Sequence, residues 1–176
     1  MNTQEEVKRF WTRDGREVII RPVRPEDASR MVDFLLHLSP ETRYRRFHTY
    51  LPNLNDESLL ERAGETVSVL PERGIALVAL VNDEIVGSAR CMREDETPLA
   101  EAAVVVRDDY QQRGIGTQLL LELVNRARRV GITHLYAYIQ PDNLRILDIL
   151  NKANLPTHTR LEDTLLRVEV DIRQAS

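Results

Sequence analysis

Gly114 and Gly116 stand one residue apart, behind Gln111-Gln112-Arg113 and ahead of an aliphatic run. Glycines at this spacing remove side chains where backbone must come close to another group, and an adjacent arginine adds positive charge. If a strand feeds such a turn into a helix, several unpaired N–H groups and the positive helix end converge on one place. That place attracts phosphate, and the geometry suits a pyrophosphate. The spacing lacks the third glycine of a dinucleotide fingerprint and the Gly-Lys-Ser/Thr ending of an ATP-binding loop, so those nucleotide readings are weak. From spacing alone, anion binding and an ordinary turn packed tightly around its glycines are equally good readings.

The flanking elements supply that context. Leu99 to Val106 reads as a strand, and Ile115, Leu119, Leu120, Leu123, Val124 and Ala127 follow helical spacing up to a stop at Gly131. Upstream, Ile75 to Val81 and Ile85 to Met92 are apolar runs joined by Asn82-Asp83-Glu84, which predicts an antiparallel hairpin. A short strand from Glu17 to Ile20 precedes a helix carrying Met31, Phe34, Leu35 and Leu38. Ser39-Pro40-Glu41 and Asn55-Asp56-Glu57 have the cap chemistry to begin two more helices. His134 to Ile139 is a further strand, Leu144 to Lys152 a helix and Leu165 to Ile172 a last strand. The alternation gives a layered α/β (α+β) class around a mixed sheet.

The chain has 176 residues, which fits one domain able to bury a core without staples. With 42% hydrophobic and 30% charged residues, a folded globular chain is expected rather than a disordered one. No apolar run reaches the roughly 18 residues of a membrane span and the polar start lacks a secretion signal, so a cytoplasmic protein with no membrane partner is expected. Cys91 is the single cysteine, which excludes an internal disulfide and a cysteine-rich zinc site and suits a reducing compartment. A net charge of −4 with mixed signs gives no support to nucleic-acid binding.

The run Val104-Val105-Val106-Arg107-Asp108-Asp109-Tyr110-Gln111-Gln112-Arg113-Gly114-Ile115-Gly116-Thr117 resembles the acetyl-CoA signature of the GNAT N-acetyltransferase superfamily, Gln/Arg-x-x-Gly-x-Gly/Ala. The likeness of element order runs from about Arg16 to the C-terminus, which divides the chain into an N-terminal extension, 1–15, and a GNAT-like domain, 16–176. More narrowly, Arg21-Pro22-Val23-Arg24-Pro25-Glu26-Asp27, the stretch Ser39 to Phe47, and Ala100-Glu101 resemble the acetyltransferase module of bacterial Pat-type protein-lysine acetyltransferases. Members of that group often carry an acyl-CoA-synthetase-like or cyclic-nucleotide-binding domain. This chain has room for neither, and regulation of that kind is not expected.

The resemblance implies a mostly antiparallel central sheet flanked by helices, and acetyl-CoA as cosubstrate. It implies that backbone amides from Gln112, Arg113, Gly114, Ile115, Gly116 and Thr117 hold the diphosphate, with Gln111 opening the signature. Val104, Val105 and Val106 would line the pantetheine arm, with the backbone of Val104 and Val106 pairing to it, and Asn143 would contact the coenzyme. A lysine amine must lose a proton before it attacks, since its ordinary pKa is about 10.4. Glu101 matches the general-base glutamate of the Pat-type group, and burial would raise its pKa usefully. The expected reaction is direct acetyl transfer to a protein lysine in a ternary complex, by a monomer or a homodimer. A small-amine acceptor (polyamine, antibiotic or amino acid) and a non-catalytic acyl-CoA sensor are the alternative readings.

Two departures from the family pattern stand out. The tyrosine that many members place seven residues after Asn143 is Leu150 here, and Asn154-Leu155 replaces the usual Gly-Phe at that helix end. Asparagine still accepts the left-handed conformation of such a stop. Cys91 lies in an apolar run, which favours a buried structural role over a nucleophile. His37, His48, His134 and His158 have no metal-ligand spacing, so no metal is expected. Arg43, Arg45 and Arg46, beside Tyr44 and Phe47, read first as a solvated helix face.

Overall fold

The computed structural model describes residues 6–47 and 56–173. Its strands are β1 (Lys8–Trp11), β2 (Glu17–Pro22), β3 (Gly74–Val81), β4 (Glu84–Arg93), β5 (Leu99–Val106), β6 (His134–Ile139), β7 (Thr157–Glu162) and β8 (Leu165–Asp171). They form one sheet in the order β1-β2-β3-β4-β5-β6-β8-β7. Every pair is antiparallel except β5 with β6. The helices are α1 (Ala28–Leu36), α2 (Pro40–Phe47), α3 (Asp56–Val67), α4 (Ile115–Arg129) and α5 (Leu144–Lys152). The mixed, mostly antiparallel sheet flanked by helices is the class read from the sequence. Asn55, the cap read for the third helix, lies outside the described residues, as does His48.

Two strands escaped that reading, and both are sheet edges. β1 falls within the stretch read as an extension, yet Lys8 to Trp11 pair with Ile20 to Glu17. Its Phe10 packs on the core while Trp11 is exposed. β7 is polar and largely exposed. Edge strands of this kind carry charged and polar side chains, so they lack the apolar alternation by which inner strands announce themselves.

The sheet has helices on both faces. Ile115, Leu119, Leu120, Leu123, Val124 and Ala127 bury one stripe of α4 in the larger cluster with Leu77, Ala79, Val86 and Ala89. On the opposite face Met31, Phe34, Leu35 and Leu38 pack with Val78, Leu80, Ile85 and Val105. β5 therefore sends Val106 to one layer and Val105 to the other, as strand alternation requires. The α4 stop works as expected: Gly131 has φ 81°, and the Ile132 N–H bonds back to the Ala127 carbonyl at 3.0 Å. The β3–β4 hairpin turns on Asn82 and Asp83, both left-handed (φ 49° and 67°), the pair a tight two-residue turn demands.

Two polar ties hold the N-terminal helices to the sheet. Arg21 grips Asp27 with two bonds of 2.7 and 2.8 Å, and Asp27 is fully buried and also accepts the Arg24 N–H at 2.8 Å. That clamp fixes the start of α1 against β2. The Ser39 hydroxyl caps α2 by accepting the Thr42 N–H at 3.1 Å. Asp108, just past β5, accepts the Ser39 N–H, the Ser39 hydroxyl and the Thr42 hydroxyl at 2.7 to 2.9 Å. One aspartate thus ties α2 to the end of the strand that carries the glycine signature.

Candidate active site

β5 and β6 pair only through Leu99–His134, Ala100–Leu135 and Glu101–Tyr136. Beyond that point β5 stays with β4 as far as Gly87–Val106, and β6 stays with β8 as far as Ile139–Leu166. The strands part and the sheet opens into a cleft of about 770 Å³. The Arg107 N–H donates to the Val86 carbonyl at 2.8 Å, so Arg107 faces β4. By alternation Val106, Val104 and Ala102 turn their peptide groups into the gap, whereas that of Val105 turns to β4. The Val106 carbonyl already accepts the Gln111 side-chain amide at 2.9 Å, which leaves Val104 the more open of the two expected partners.

The glycine turn closes the far end. Gln112 and Gly114 are both left-handed, with φ 60° and 85°. The first bond within α4 runs from the Gln118 N–H to the Gly114 carbonyl at 3.0 Å. The N–H groups of Ile115, Gly116 and Thr117 therefore have no acceptor inside the helix. The two glycines answer different demands. A Cβ on Gly114 would meet nothing within 4 Å, so its requirement is conformational. A Cβ on Gly116 would lie 2.7 Å from Ile149 Cδ1, so its requirement is packing between α4 and α5.

Glu101, Val104, Val105, Val106, Gln111, Gln112, Arg113, Gly114, Gly116, Thr117 and Asn143 all line the cleft. Ile115 does not: its side chain is buried in the core, and only its backbone can serve an anion. Asn143 precedes α5 without capping it, which leaves its side chain on the cleft wall. Arg113 is already engaged, paired with Asp14, bonded to the Asp109 carbonyl at 3.1 Å and 5.5 Å from the Tyr110 ring centre. Its charge beside the loop is partly neutralised. Arg13 and Arg145 also line this cleft and had no sequence signal, since they come from a loop and a helix far apart in the chain.

The apex is built differently. Glu101 is exposed there. Its strand neighbour Tyr136 is buried and donates its hydroxyl to Glu94. Burial, and then the bond to Glu94, push the Tyr136 phenol well above its ordinary range, so it stays protonated at neutral pH. Tyr138 packs edge-on against Tyr136, donates to Glu162 at 2.9 Å and accepts from Arg167 at 3.2 Å. Leu150 is buried on the cleft wall, and the phenols nearest the apex come from β6 instead. Asn154 takes the left-handed stop, φ 52°.

The remaining candidates are quiet. Cys91 is fully buried and burial pushes its thiol up to about 11, so it is no nucleophile at neutral pH. His37 is exposed, with its ring bonded to the Asp33 carbonyl at 2.7 Å. Among the described residues no cluster of His, Cys, Asp and Glu could hold a metal, and no helix is long and apolar enough to cross a membrane. Arg45 and Arg46 are both only partly exposed and line the cleft, with Arg45 paired to Glu41 and Asp142.

The sequence model of the Acetyltransferase (GNAT) family matches residues 35–152, which takes in the glycine turn, the splayed strands and α5. Acetyltransferase PA5475 of Pseudomonas aeruginosa is 34% identical over 142 residues, covering 77% of this chain and 73% of that protein. Acetyltransferase Pat of Mycolicibacterium smegmatis is 30% identical over 167 residues, covering 91% of this chain, which spans 47% of that protein's length. Among solved structures, the GNAT domain of S. lividans PAT superposes with a TM-score of 0.82 at 25% identity, covering 94% of this chain and 96% of that one.

Proposed function

The chain belongs to the GNAT family of acetyltransferases and is an N-acetyltransferase, and from that premise we propose that it moves acetyl from acetyl-CoA to a protein lysine amine. The observation that carries this reading is the parting of β5 from β6 immediately after the Glu101–Tyr136 pair. A thioester laid along β5 would bring its carbonyl to the apex, beside an acidic side chain. The peptide groups of Ala102 and Val104 face the gap, and an N–H there can bond the carbonyl oxygen as negative charge develops on it. At the other end the N–H groups of Ile115, Gly116 and Thr117 suit a diphosphate.

In this reading Glu101 takes the proton from the attacking ammonium, directly or through water, and the amine nitrogen bonds to the thioester carbon. Collapse of the tetrahedral species breaks the carbon–sulfur bond. The second proton of the nitrogen passes to the departing sulfur, with the Tyr138 phenol of β6 on the cleft wall as its relay, in place of the tyrosine that Leu150 replaces. The sequence resemblance to Pat-type protein-lysine acetyltransferases at Arg21 to Asp27, Ser39 to Phe47 and Ala100-Glu101 supports a protein lysine as acceptor, and the likeness to Acetyltransferase Pat runs along nearly the whole chain. A reducing cytoplasm suits the single buried thiol.

The test is acetyl-CoA turnover, read as thiol release, for wild type and Glu101→Gln, with a lysine-bearing protein and a polyamine panel as acceptors. Turnover on the protein that collapses in the variant, with acetyl-CoA binding intact by calorimetry, is the expected result. Polyamine turnover would move the acceptor to small amines, and binding without any turnover would mark a sensor.

A further inference from the structure

Beside the apex, on the α1 face of the sheet, lies a small pocket between Ser88 and Arg90 of β4, Phe47 of α2, and Arg62 and Thr66 of α3. Arg46 and Val105 line both this pocket and the main cleft. Three guanidinium groups thus converge from segments far apart in sequence. Phe47 holds two of them by its ring face, with Arg46 at 4.9 Å and Arg62 at 4.3 Å from its centre. Arg90 stands on β4 opposite Ala103, one strand over from Glu101 and on the same face.

These arginines, and the half-buried Arg43 beside them on α2, differ from several other partly buried ones. Arg21, Arg107 and Arg126 each have a carboxylate partner at 2.7 Å. Among the described residues, Arg46, Arg62 and Arg90 have no carboxylate within 4.0 Å. Glu65 of α3 also lines this pocket and Glu101 acts on Arg46 from the main cleft, so three cations face two anions. Burial, and then the charge of Arg90, pull Arg46 down to about 10, which leaves it protonated at neutral pH. Like charges gathered in a partly dry site are held at a cost that an added anion would relieve. The pocket is small, about 20 Å³, room for one water-sized group, which suits a single carboxylate oxygen better than a phosphoryl group.

We propose that the acceptor carries a carboxylate close to its amine, and that Arg46, Arg62 and Arg90 bind it while the amine faces Glu101. The inference rests on the reading of Glu101 as the point of attack. The carboxylate comes either from an acidic residue beside the target lysine or from the α-carboxylate of a free amino acid.

Both sources are tested by calorimetry on the protein saturated with CoA. One pair of peptides differs only in Glu or Gln beside a lysine, and a second pair is lysine and lysinamide. The carboxylate-bearing member of one pair should bind about tenfold tighter. In Arg62→Gln and in Arg90→Gln that preference should shrink to about twofold, with CoA affinity unchanged as the sign of an intact fold. Equal binding within both pairs in wild type would overturn the inference, as would a preference that survives both substitutions. Binding is read without turnover, so discrimination in a chain that never turns over would count against Glu101 alone. Turnover without discrimination would count against the arginines alone.

Discussion

The glycine end of the cleft is made of backbone, whereas the end at Glu101 is made of side chains. Ile115, Gly116 and Thr117 offer backbone N–H groups rather than side chains, and Val104 offers its peptide edge. Fourteen consecutive residues, Val104 to Thr117, contain nearly the whole arrangement. At the other end Arg90 lies near the end of β4 and Glu94 just past it, Glu101 and Tyr136 sit on paired strands, and Arg46 and Arg62 come from α2 and α3. A backbone site is suited to a group that never changes, and a side-chain site to one that differs from protein to protein. The cleft therefore joins a fixed half to an adjustable half.

The sharpest way to separate the halves is Glu101→Gln, which should lower kcat/KM by about 10²- to 10⁴-fold and leave the acetyl-CoA Kd unchanged. Steady-state kinetics with calorimetry reads both, and a parallel loss of coenzyme affinity would break the division. Asp27→Ala should damage both halves equally, because it strands the buried Arg21 charge and loosens the start of α1. About 3–5 kcal/mol of stability should go, read as a lower urea midpoint. Burial alone would push the Asp27 carboxyl up, but the Arg21 bonds and the Arg24 N–H outweigh it and hold it below the usual carboxylate range. Its contribution is thus complete above about pH 4 and is lost as pH falls through the folded value.

Gly114→Val acts on the fixed half alone. Forcing a branched residue to φ 85° costs about 1–2 kcal/mol, which should appear as roughly tenfold weaker acetyl-CoA binding with the acceptor KM unchanged. The smallest effect belongs to the joint between the halves. Asp108→Ala releases α2 from the end of β5 at about 1 kcal/mol. Since α2 carries Arg46, acceptor kcat/KM should fall more than coenzyme affinity does.

The same division explains what the sequence could announce. The glycine turn, the Asn82-Asp83 hairpin and the Gly131 stop depend on local φ and on neighbours within a few residues, and each appears where its residues predicted it. β7 lacks an apolar alternation because four of its six residues are exposed, and β1 is only four residues long, too short for alternation to stand out. Arg46 reads as one of several surface arginines on a short helix. Only the tie from Asp108 to Ser39 and Thr42, spanning some 66 to 69 positions, turns that helix so that it faces inward. Tyr136 gave no signal either, since the acid that engages it lies 42 residues away.

The parting of β5 from β6 puts an unfinished edge in the middle of the sheet rather than at its margin. Amides of Ala103 and Val105 face β4 and stay shielded whatever else happens, while those of Ala102 and Val104 rely on whatever lies alongside them. A ligand seated there becomes the missing ninth strand of an eight-stranded sheet. Hydrogen exchange along β5 should then alternate, residue by residue, between amides that record the fold and amides that record occupancy.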